Sequence, residues 1–191
     1  MPEEATKDQQ IIEAADQLFY QQGFDYTSFQ DIARAVKISR GNFYYHFKTK
    51  DDILAAVIER RKANTRAMLA QWENQAENPA QCICSYIRIL STNLDQIEAF
   101  GCPVGTLCSE LAKLDHSQVD AAKEIFGLFR RWLAGHFASI GQPEKADQRA
   151  LQVLAWSQGV ATLVNAYKDR DFVRAEVERM CAWVSSLGPA N

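Results

Sequence analysis

A basic segment between Ile32 and Lys50 contains no acidic residue, although the whole chain carries a net charge of −3. Its cationic residues are Arg34, Lys37, Arg40, Lys48 and Lys50, with Tyr44, Tyr45 and His46 among them. Cationic side chains neutralise phosphates, and a phenol can donate a hydrogen bond to a phosphate oxygen. The segment therefore predicts contact with a nucleic acid, which the overall charge does not indicate. For Phe43 and Phe47 we prefer the alternative that they belong to the core.

Enzyme and metal chemistry find little support among the other polar residues. The three histidines are far apart, and neither a glycine-rich phosphate loop nor a Gly-x-Ser-x-Gly motif occurs. The cysteines lack the spacing of a zinc site, and they are Cys82, Cys84, Cys102, Cys108 and Cys181. We therefore expect free thiols, no metal, no cofactor and no enzyme activity. An all-helical enzyme and a helical adaptor protein stay open as alternatives, but neither gives the basic segment a role.

Hydrophobic residues recur with a helical period along nearly the whole chain, and β-type alternation of useful length is missing. The sequence predicts an all-α fold of about nine helices, in which three short helices precede longer ones. Of the 191 residues, 47% are hydrophobic, which is enough for a sizeable core. The polar N-terminus is not a secretory signal, and no apolar run is long enough to span a bilayer. We therefore expect a cytoplasmic protein.

The second and third helices fit a helix-turn-helix unit over about residues 27–47. Thr27 is the predicted N-cap of the second helix, with Gln30 at the third helical position, which is the pattern of a capping box. Ser39 is the predicted N-cap of the third helix, which covers residues 40–47.

The remaining helices are predicted to be longer. One runs from Thr49 to about residue 76, and another begins at Pro79 and is broken at residues 100–103. We expect a DNA-binding domain over residues 1–52 and a C-terminal helical domain over residues 53–191.

Two stretches of this chain resemble the TetR family of transcriptional regulators. RGNFYYHFKTKDDIL at residues 40–54 is similar to the third-helix signature of that family, and GFDYTSFQDIA at residues 23–33 is similar to its second-helix entry. The resemblance is specific over about residues 10–58. One departure is Phe29, which stands where many relatives carry a small polar residue.

The resemblance implies that the N-terminus of the third helix enters the major groove, with Arg40, Gly41 and Asn42 nearest the base edges. Gly41 would let the backbone approach closely. Other polar residues of the unit would hold the phosphate backbone, and a hydroxyl at the second helix would reach a phosphate. The full set of expected DNA contacts is Thr27, Ser28, Gln30, Lys37, Ser39, Arg40, Gly41, Asn42, Tyr44, Tyr45, His46, Lys48 and Lys50.

Members of that family dimerise through the C-terminal domain, and the last two predicted helices offer a suitable face. Small residues one turn apart let helices approach closely, and large apolar groups are common at homodimer interfaces. The candidate interface residues are Leu151, Ala155, Trp156, Gly159, Leu163, Val177, Met180 and Val184. The alternative is that these faces pack only onto their own subunit.

The resemblance also implies a chamber for a small-molecule effector, which we place between residues 83 and 137. A mostly apolar lining with few polar groups suits a small organic molecule. The candidate lining residues are Tyr86, Phe100, Cys102, Phe126, Phe129, Trp132 and His136. An aromatic stripe at helical spacing is more often plain core, and that alternative stays open.

The segment GCPVGTLCSE at residues 101–110 resembles a part of some TetR regulators that sense electrophiles or oxidants through a cysteine. Cys102 would precede a helix that begins at Pro103, where N–H groups favour a thiolate. Cys108 would lie nearly two turns away, too far for a disulfide without rearrangement. Buried packing of Cys102 is the alternative.

These features predict a ligand-responsive transcriptional regulator, by the family's commoner mode a repressor. It would bind a palindromic operator in double-stranded DNA as a homodimer, and a small molecule would release it. Covalent modification of Cys102 is the alternative trigger. No membrane partner is expected.

Overall fold

The computed structural model describes residues 6–141 and 143–187, except for the side chain of Arg40. These residues form ten α-helices and one 3₁₀ turn at Pro143–Lys145, and no strand occurs among them, which confirms the all-α fold. The helices are α1 Lys7–Gln22, α2 Phe29–Ala35, α3 Arg40–His46, α4 Lys50–Gln75, α5 Pro79–Thr92, α6 Leu94–Phe100, α7 Pro103–Lys113, α8 Val119–Ser139, α9 Ala146–Tyr167 and α10 Arg170–Ser185.

The N-cap of α2 is Ser28, so the prediction of Thr27 as its cap is wrong by one residue. The Ser28 hydroxyl accepts a hydrogen bond from the backbone N–H of Asp31, and the Asp31 carboxylate accepts from the backbone N–H of Ser28. Thr27 is only 1% exposed, and its hydroxyl donates to the carbonyl of Gly23 at 2.6 Å. The Thr27 hydroxyl thus bonds to the residue that ends α1 and does not cap α2.

The predicted helix that begins at Pro79 is two helices, because the chain bends at Asn93. This residue has φ −105° and ψ 22°, and its side-chain amide donates to the carbonyl of Ile89 at 3.2 Å. An asparagine that bonds its own backbone competes with continued helix formation. The short helix α6 then ends at Gly101, whose φ of 81° is easily reached only without a Cβ.

The described residues group into two compact units. The first unit contains the chain up to Ala63 together with Thr106–Glu124, so it combines α1, α2 and α3 with the start of α4 and most of α7. Its core includes Leu107 and Leu111 from α7. The unit that contains the helix-turn-helix therefore extends beyond residue 52. That the DNA-binding domain ends at residue 52 stays a prediction.

Two charged side chains of the first unit fix the loop between α1 and α2. The backbone N–H groups of Phe24 and Asp25 each donate to one oxygen of the Glu110 carboxylate at 2.9 Å. The Lys50 ammonium donates to the carbonyls of the same two residues, at 2.9 and 3.2 Å. Gly23 has φ +94°, and a Cβ there would lie 3.0 Å from the Glu110 carboxylate. We call this arrangement the loop clamp.

The second unit contains Asn64–Gly105 and the chain from Ile125 onward. Its core is built chiefly from α5, α8, α9 and α10, and Ile83, Ile87, Leu133 and Phe137 are among its fully buried side chains. None of the helices in the described ranges is both long and apolar enough to cross a membrane.

Glu110→Gln should lower the free energy of unfolding, because an amide offers one acceptor oxygen where the loop presents two N–H donors. One hydrogen bond is part-buried and the other exposed, so the loss of one of them costs about 0.5–1.5 kcal/mol. Urea denaturation of the full chain measures this difference.

Glu178→Gln is the matched control, since Glu178 is exposed on α10. Its effect should stay within about 0.5 kcal/mol, as for most surface substitutions. Equal losses in the two variants would contradict a specific role of the Glu110 carboxylate.

Candidate nucleic-acid interface

The N-terminus of α3 is an exposed surface of the first unit. Ser39 caps the helix, with its hydroxyl accepting from the backbone N–H of Asn42 at 3.3 Å. Ser39, Gly41 and Asn42 are all exposed. The backbone of Arg40 belongs to the same turn, but its side chain lies outside the described part of the structure. The residues predicted to lie nearest to base edges thus occupy one exposed helix end.

Gly41 leaves open space in front of this helix end. A Cβ at Gly41 would meet nothing within 4 Å, and the residue has ordinary helical backbone geometry. The fold therefore does not require a glycine at this position. The backbone of this helix end is thus left uncovered at Gly41.

The predicted phosphate-binding cations differ in how far they are engaged inside the protein. Lys37 is exposed in the turn before α3, with a left-handed φ of 55°. The Lys48 ammonium donates to the carbonyl of Tyr44 at 2.5 Å and remains exposed. Lys50 is part of the loop clamp, and its ammonium also lies 4.2 Å from the centre of the Phe24 ring. Sequence reasoning missed this structural role of Lys50.

The aromatic residues of α3 are divided between packing and exposure. The ring of Tyr44 packs against Phe29 with centroids 5.5 Å apart, and Phe43 is 1% exposed and lies edge-on to Phe29 at 5.2 Å. Phe29 therefore packs against the aromatic rings of α3. Tyr45 is 80% exposed. His46 pairs with Asp8 of α1, its Nδ1 lying 2.5 Å from a carboxylate oxygen.

The start of α2 offers one exposed hydroxyl rather than two. Ser28 and Gln30 are exposed, whereas Thr27 is buried. A phosphate contact through the Thr27 side chain therefore has no exposed hydroxyl to use, because that hydroxyl donates inside the protein.

The predicted effector residues fall into two clusters in the second unit. In the first, the Tyr86 hydroxyl lies 2.9 Å from the Ser157 hydroxyl, and the Tyr86 ring lies 5.1 Å from that of Phe129. The side-chain amide of Gln158 donates to Ser157 and to the Cys102 sulfur, both at 3.4 Å. Burial raises the pKa of Tyr86, so this phenol stays neutral. Polar groups thus form a connected line inside an apolar core.

The second cluster surrounds the Glu73 carboxylate. The indole N–H of Trp132 donates to it at 2.7 Å, and Nε2 of His136 lies 3.4 Å away. Burial lowers the pKa of His136, although Glu73 acts in the opposite direction. The other two predicted lining residues, Phe100 and Phe126, are half-buried.

The predicted dimer residues divide by helix. Val177, Met180 and Val184 of α10 are at most 7% exposed and pack in the core of their own unit. The residues on α9 reach the surface: Leu151, Ala155, Gly159 and Leu163 are exposed. Trp156 is half-buried, and its indole N–H donates to Glu176 at 2.9 Å.

The cysteines are all free thiols, as expected. The Cys102 sulfur stands at the start of α7 and accepts from the backbone N–H of Gly105 at 3.4 Å. No group of three metal-ligating side chains lies together in the part of the chain that the structure describes.

Two family descriptions match the chain in consecutive parts. "Bacterial regulatory proteins, tetR family" matches residues 11–57, and "Transcriptional regulator LmrA/YxaF-like, C-terminal domain" matches residues 79–178. An HTH-type transcriptional regulator from the lacX 3' region of Lactococcus lactis subsp. lactis is 26% identical over 184 residues, which cover 94% of each chain.

Two further relatives extend the comparison. The HTH-type transcriptional repressor DhaR of Mycobacterium sp. strain GP1 is 25% identical over 127 residues, or 65% of this chain and 61% of its own. The crystal structure of a TetR transcriptional regulator from Legionella pneumophila matches with a TM-score of 0.84 at 25% identity, over 97% of this chain and 98% of that one. These relatives are regulators, not enzymes. Both parts of the chain match descriptions of TetR-type regulators, and the fold matches that of a TetR regulator. The protein therefore belongs to the TetR family of DNA-binding transcriptional regulators.

Proposed function

We propose that the protein is a ligand-responsive repressor that binds a palindromic operator as a homodimer and is released by a small molecule. The observation that carries the DNA-binding part is the open N-terminus of α3, where Gly41 leaves room for an external partner. Repression is supported by the name of DhaR, which is described as a repressor.

The contacts with DNA separate into two kinds. The backbone of Gly41 and the side chain of Asn42 approach base edges, where an asparagine can bond adenine in a bidentate manner. Arg40, from its position on the first turn, contributes a guanidinium to the same groove. Lys37, Tyr45 and other exposed polar residues contact phosphates, which positions the helix but does not read sequence. The phosphate set is completed by Ser28, Gln30, Ser39 and Lys48.

Lys50, Tyr44 and His46 act on DNA through the protein rather than by direct contact. Their polar or aromatic groups are engaged with Phe24, Phe29 and Asp8. Substitution of these residues changes the shape of the helix-turn-helix and thereby lowers its affinity for DNA.

Dimerisation uses the exposed face of α9. Leu151 is 44% exposed, Leu163 is 41% exposed, and Ala155 and Gly159 lie between them as small residues that allow close approach of a second helix. A repressor needs two recognition helices about 34 Å apart to meet successive major grooves, and a two-fold dimer supplies them.

The effector chamber lies around the polar line of Tyr86, Ser157, Gln158 and Cys102. Buried polar groups need hydrogen-bond partners, and here they satisfy one another. The one or two polar atoms of an uncharged organic molecule can replace some of these hydrogen-bond partners, while its apolar part contacts Phe129.

Three helices connect the effector chamber to the DNA-binding unit. The chain passes from one compact unit to the other within α4, α7 and α8. In α7 the helix starts beside Cys102 in the second unit and carries Glu110 of the loop clamp in the first. The residues of α7 are thus shared between the two units, which makes this helix the proposed route of the switch.

Cys102 supports a covalent trigger as the second candidate. Its sulfur accepts hydrogen bonds from two N–H donors, those of Gly105 and Gln158, both at 3.4 Å. Alkylation converts the thiol to a thioether and adds volume at the start of α7.

Substitutions at the end of α3 should separate base reading from phosphate binding. Gly41→Ala should leave stability unchanged or slightly raised, since alanine favours a helix, yet lower DNA affinity about tenfold or more, or 1.4 kcal/mol. Asn42→Ala should reduce the free energy of DNA binding by about 1–3 kcal/mol and relax the sequence preference. Lys37→Ala should instead weaken binding to all DNA sequences alike and reduce the salt dependence of binding. Gel shifts on duplexes selected from random sequence measure both quantities.

Lys123→Ala is the charge-matched control, because Lys123 is an exposed residue of α8. Its DNA affinity should equal that of the wild type. Unchanged affinity in Gly41→Ala, Asn42→Ala and Lys37→Ala at fixed salt would refute the interface.

Leu163→Glu should convert the dimer into monomers, because it places a charge in the proposed α9 face. Sedimentation velocity at micromolar concentration measures the mass. Leu114→Glu, at a residue 42% exposed in the first unit, should remain dimeric. A monomeric wild-type protein would contradict the proposal.

Small uncharged aromatic compounds that raise the melting temperature should also release the selected duplex. Saturating ligand at about one hundred times its Kd stabilises by about 2.7 kcal/mol. For compounds with a polar atom, Tyr86→Phe should reduce both the rise in melting temperature and the release of the duplex.

Release of the duplex by N-ethylmaleimide would identify the covalent trigger instead, provided that it is lost in Cys102→Ser. Compounds that stabilise the protein without releasing the duplex would argue against the switch.

A further inference from the structure

A pair of thiols outside the proposed effector chamber joins α5 to α10. Cys84 on α5 and Cys181 on α10 are 97 residues apart in the chain, yet the Cys84 sulfur lies 3.9 Å from the backbone carbonyl of Cys181. Both side chains belong to the same core cluster, where Cys84 is buried and Cys181 packs against it. Both are free, and both belong to the second unit.

The two thiols differ in exposure and in acidity. Cys84 is 5% exposed, whereas Cys181 is only half-buried. The hydrogen bond from the Cys84 thiol holds the pKa of Cys181 below its usual value, and the nearby Arg88 guanidinium acts in the same direction. The same interaction, together with burial, raises the pKa of Cys84. The accessible member is therefore the better nucleophile, and the buried member keeps its proton.

We propose that Cys84 and Cys181 are a reversible redox site that closes to an intramolecular disulfide when the protein meets a hydroperoxide. The site has a half-buried attacking thiol and a resolving thiol whose sulfur lies 3.9 Å from the backbone carbonyl of the attacking residue. It uses neither Cys102 nor the effector chamber, so it is independent of the proposed release mechanism.

The chemistry proceeds in two steps. The Cys181 thiolate attacks the distal oxygen of the hydroperoxide, the O–O bond breaks, and the departing alkoxide takes a proton to leave as an alcohol, or as water from hydrogen peroxide. The Cys84 thiol then gives its proton to the hydroxyl oxygen of the Cys181 sulfenic acid as its sulfur attacks the Cys181 sulfur, so that the S–S bond forms, the S–O bond breaks and water leaves. Two thiols are oxidised by two electrons in total, which reduce one O–O bond.

The geometry also explains why Cys82 is not the partner. Cys82 is two residues before Cys84 on α5, and residues two apart on a helix do not share a face. It is 4% exposed, and burial raises its pKa, so it stays a protonated thiol. Cys82 is therefore a control with similar burial on the same helix.

Peptide mapping after oxidation tests the proposal. Purified full-length protein is treated with hydrogen peroxide, free thiols are blocked with N-ethylmaleimide, and tryptic peptides are analysed by mass spectrometry. Cleavage after Arg66, Arg88 and Arg179 gives one peptide with Cys82 and Cys84 and another that begins at Met180. We expect these two peptides to be linked, with the link removed by dithiothreitol and the oxidised protein melting at a higher temperature.

Single substitutions identify the thiols. The link should persist in Cys82→Ser and Cys102→Ser and be absent in Cys84→Ser and Cys181→Ser. If Cys84→Ser does not fold, the wild type and Cys82→Ser alone decide the question. A wild-type protein that yields only sulfinic or sulfonic acids, only intermolecular links, or a link lost in Cys82→Ser would overturn the proposal.

Discussion

The backbone of Phe24 and Asp25 is held from both sides by opposite charges. Glu110 accepts both of their N–H groups, and Lys50 donates to both of their carbonyls. Four backbone groups of a loop that cannot bond within a helix or sheet are thereby satisfied. The ring of Phe24 can then be buried against Phe19, at 5.2 Å, and His116, at 5.1 Å. The entry of α2, and with it the helix-turn-helix, depends on this loop.

The features that could be predicted from the sequence are those that hydrophobic periodicity and helix caps determine locally. The helix-turn-helix, the N-cap at Ser39 and the start of α5 at Pro79 follow from short patterns. The N-cap of α2 was misplaced because Thr27 and Ser28 are equally good caps in sequence. Only the tertiary contact of the Thr27 hydroxyl with Gly23 decides between them.

Long-range contacts explain the remaining differences. Lys50 was assigned to phosphate because a lysine in a basic segment looks the same whether it faces solvent or a loop carbonyl 26 residues away. Helical period marks a buried face but not what covers it, so Val177 and Met180 were assigned to an interface although their own subunit buries them. The pairing of Cys84 with Cys181 likewise leaves no local signal.

The first compact unit is discontinuous along the chain, and this bears on its biosynthesis. Residues up to Ala63 leave the ribosome first, but Leu107, Leu111 and Ala122 complete the same core. At a synthesis rate of about 5–20 residues per second, the interval lasts about 3–12 s. During this time the nascent recognition helix has an incomplete hydrophobic support and is open to chaperones and proteases. The core that supports the helix-turn-helix is therefore complete only after α7 and the start of α8 have been translated.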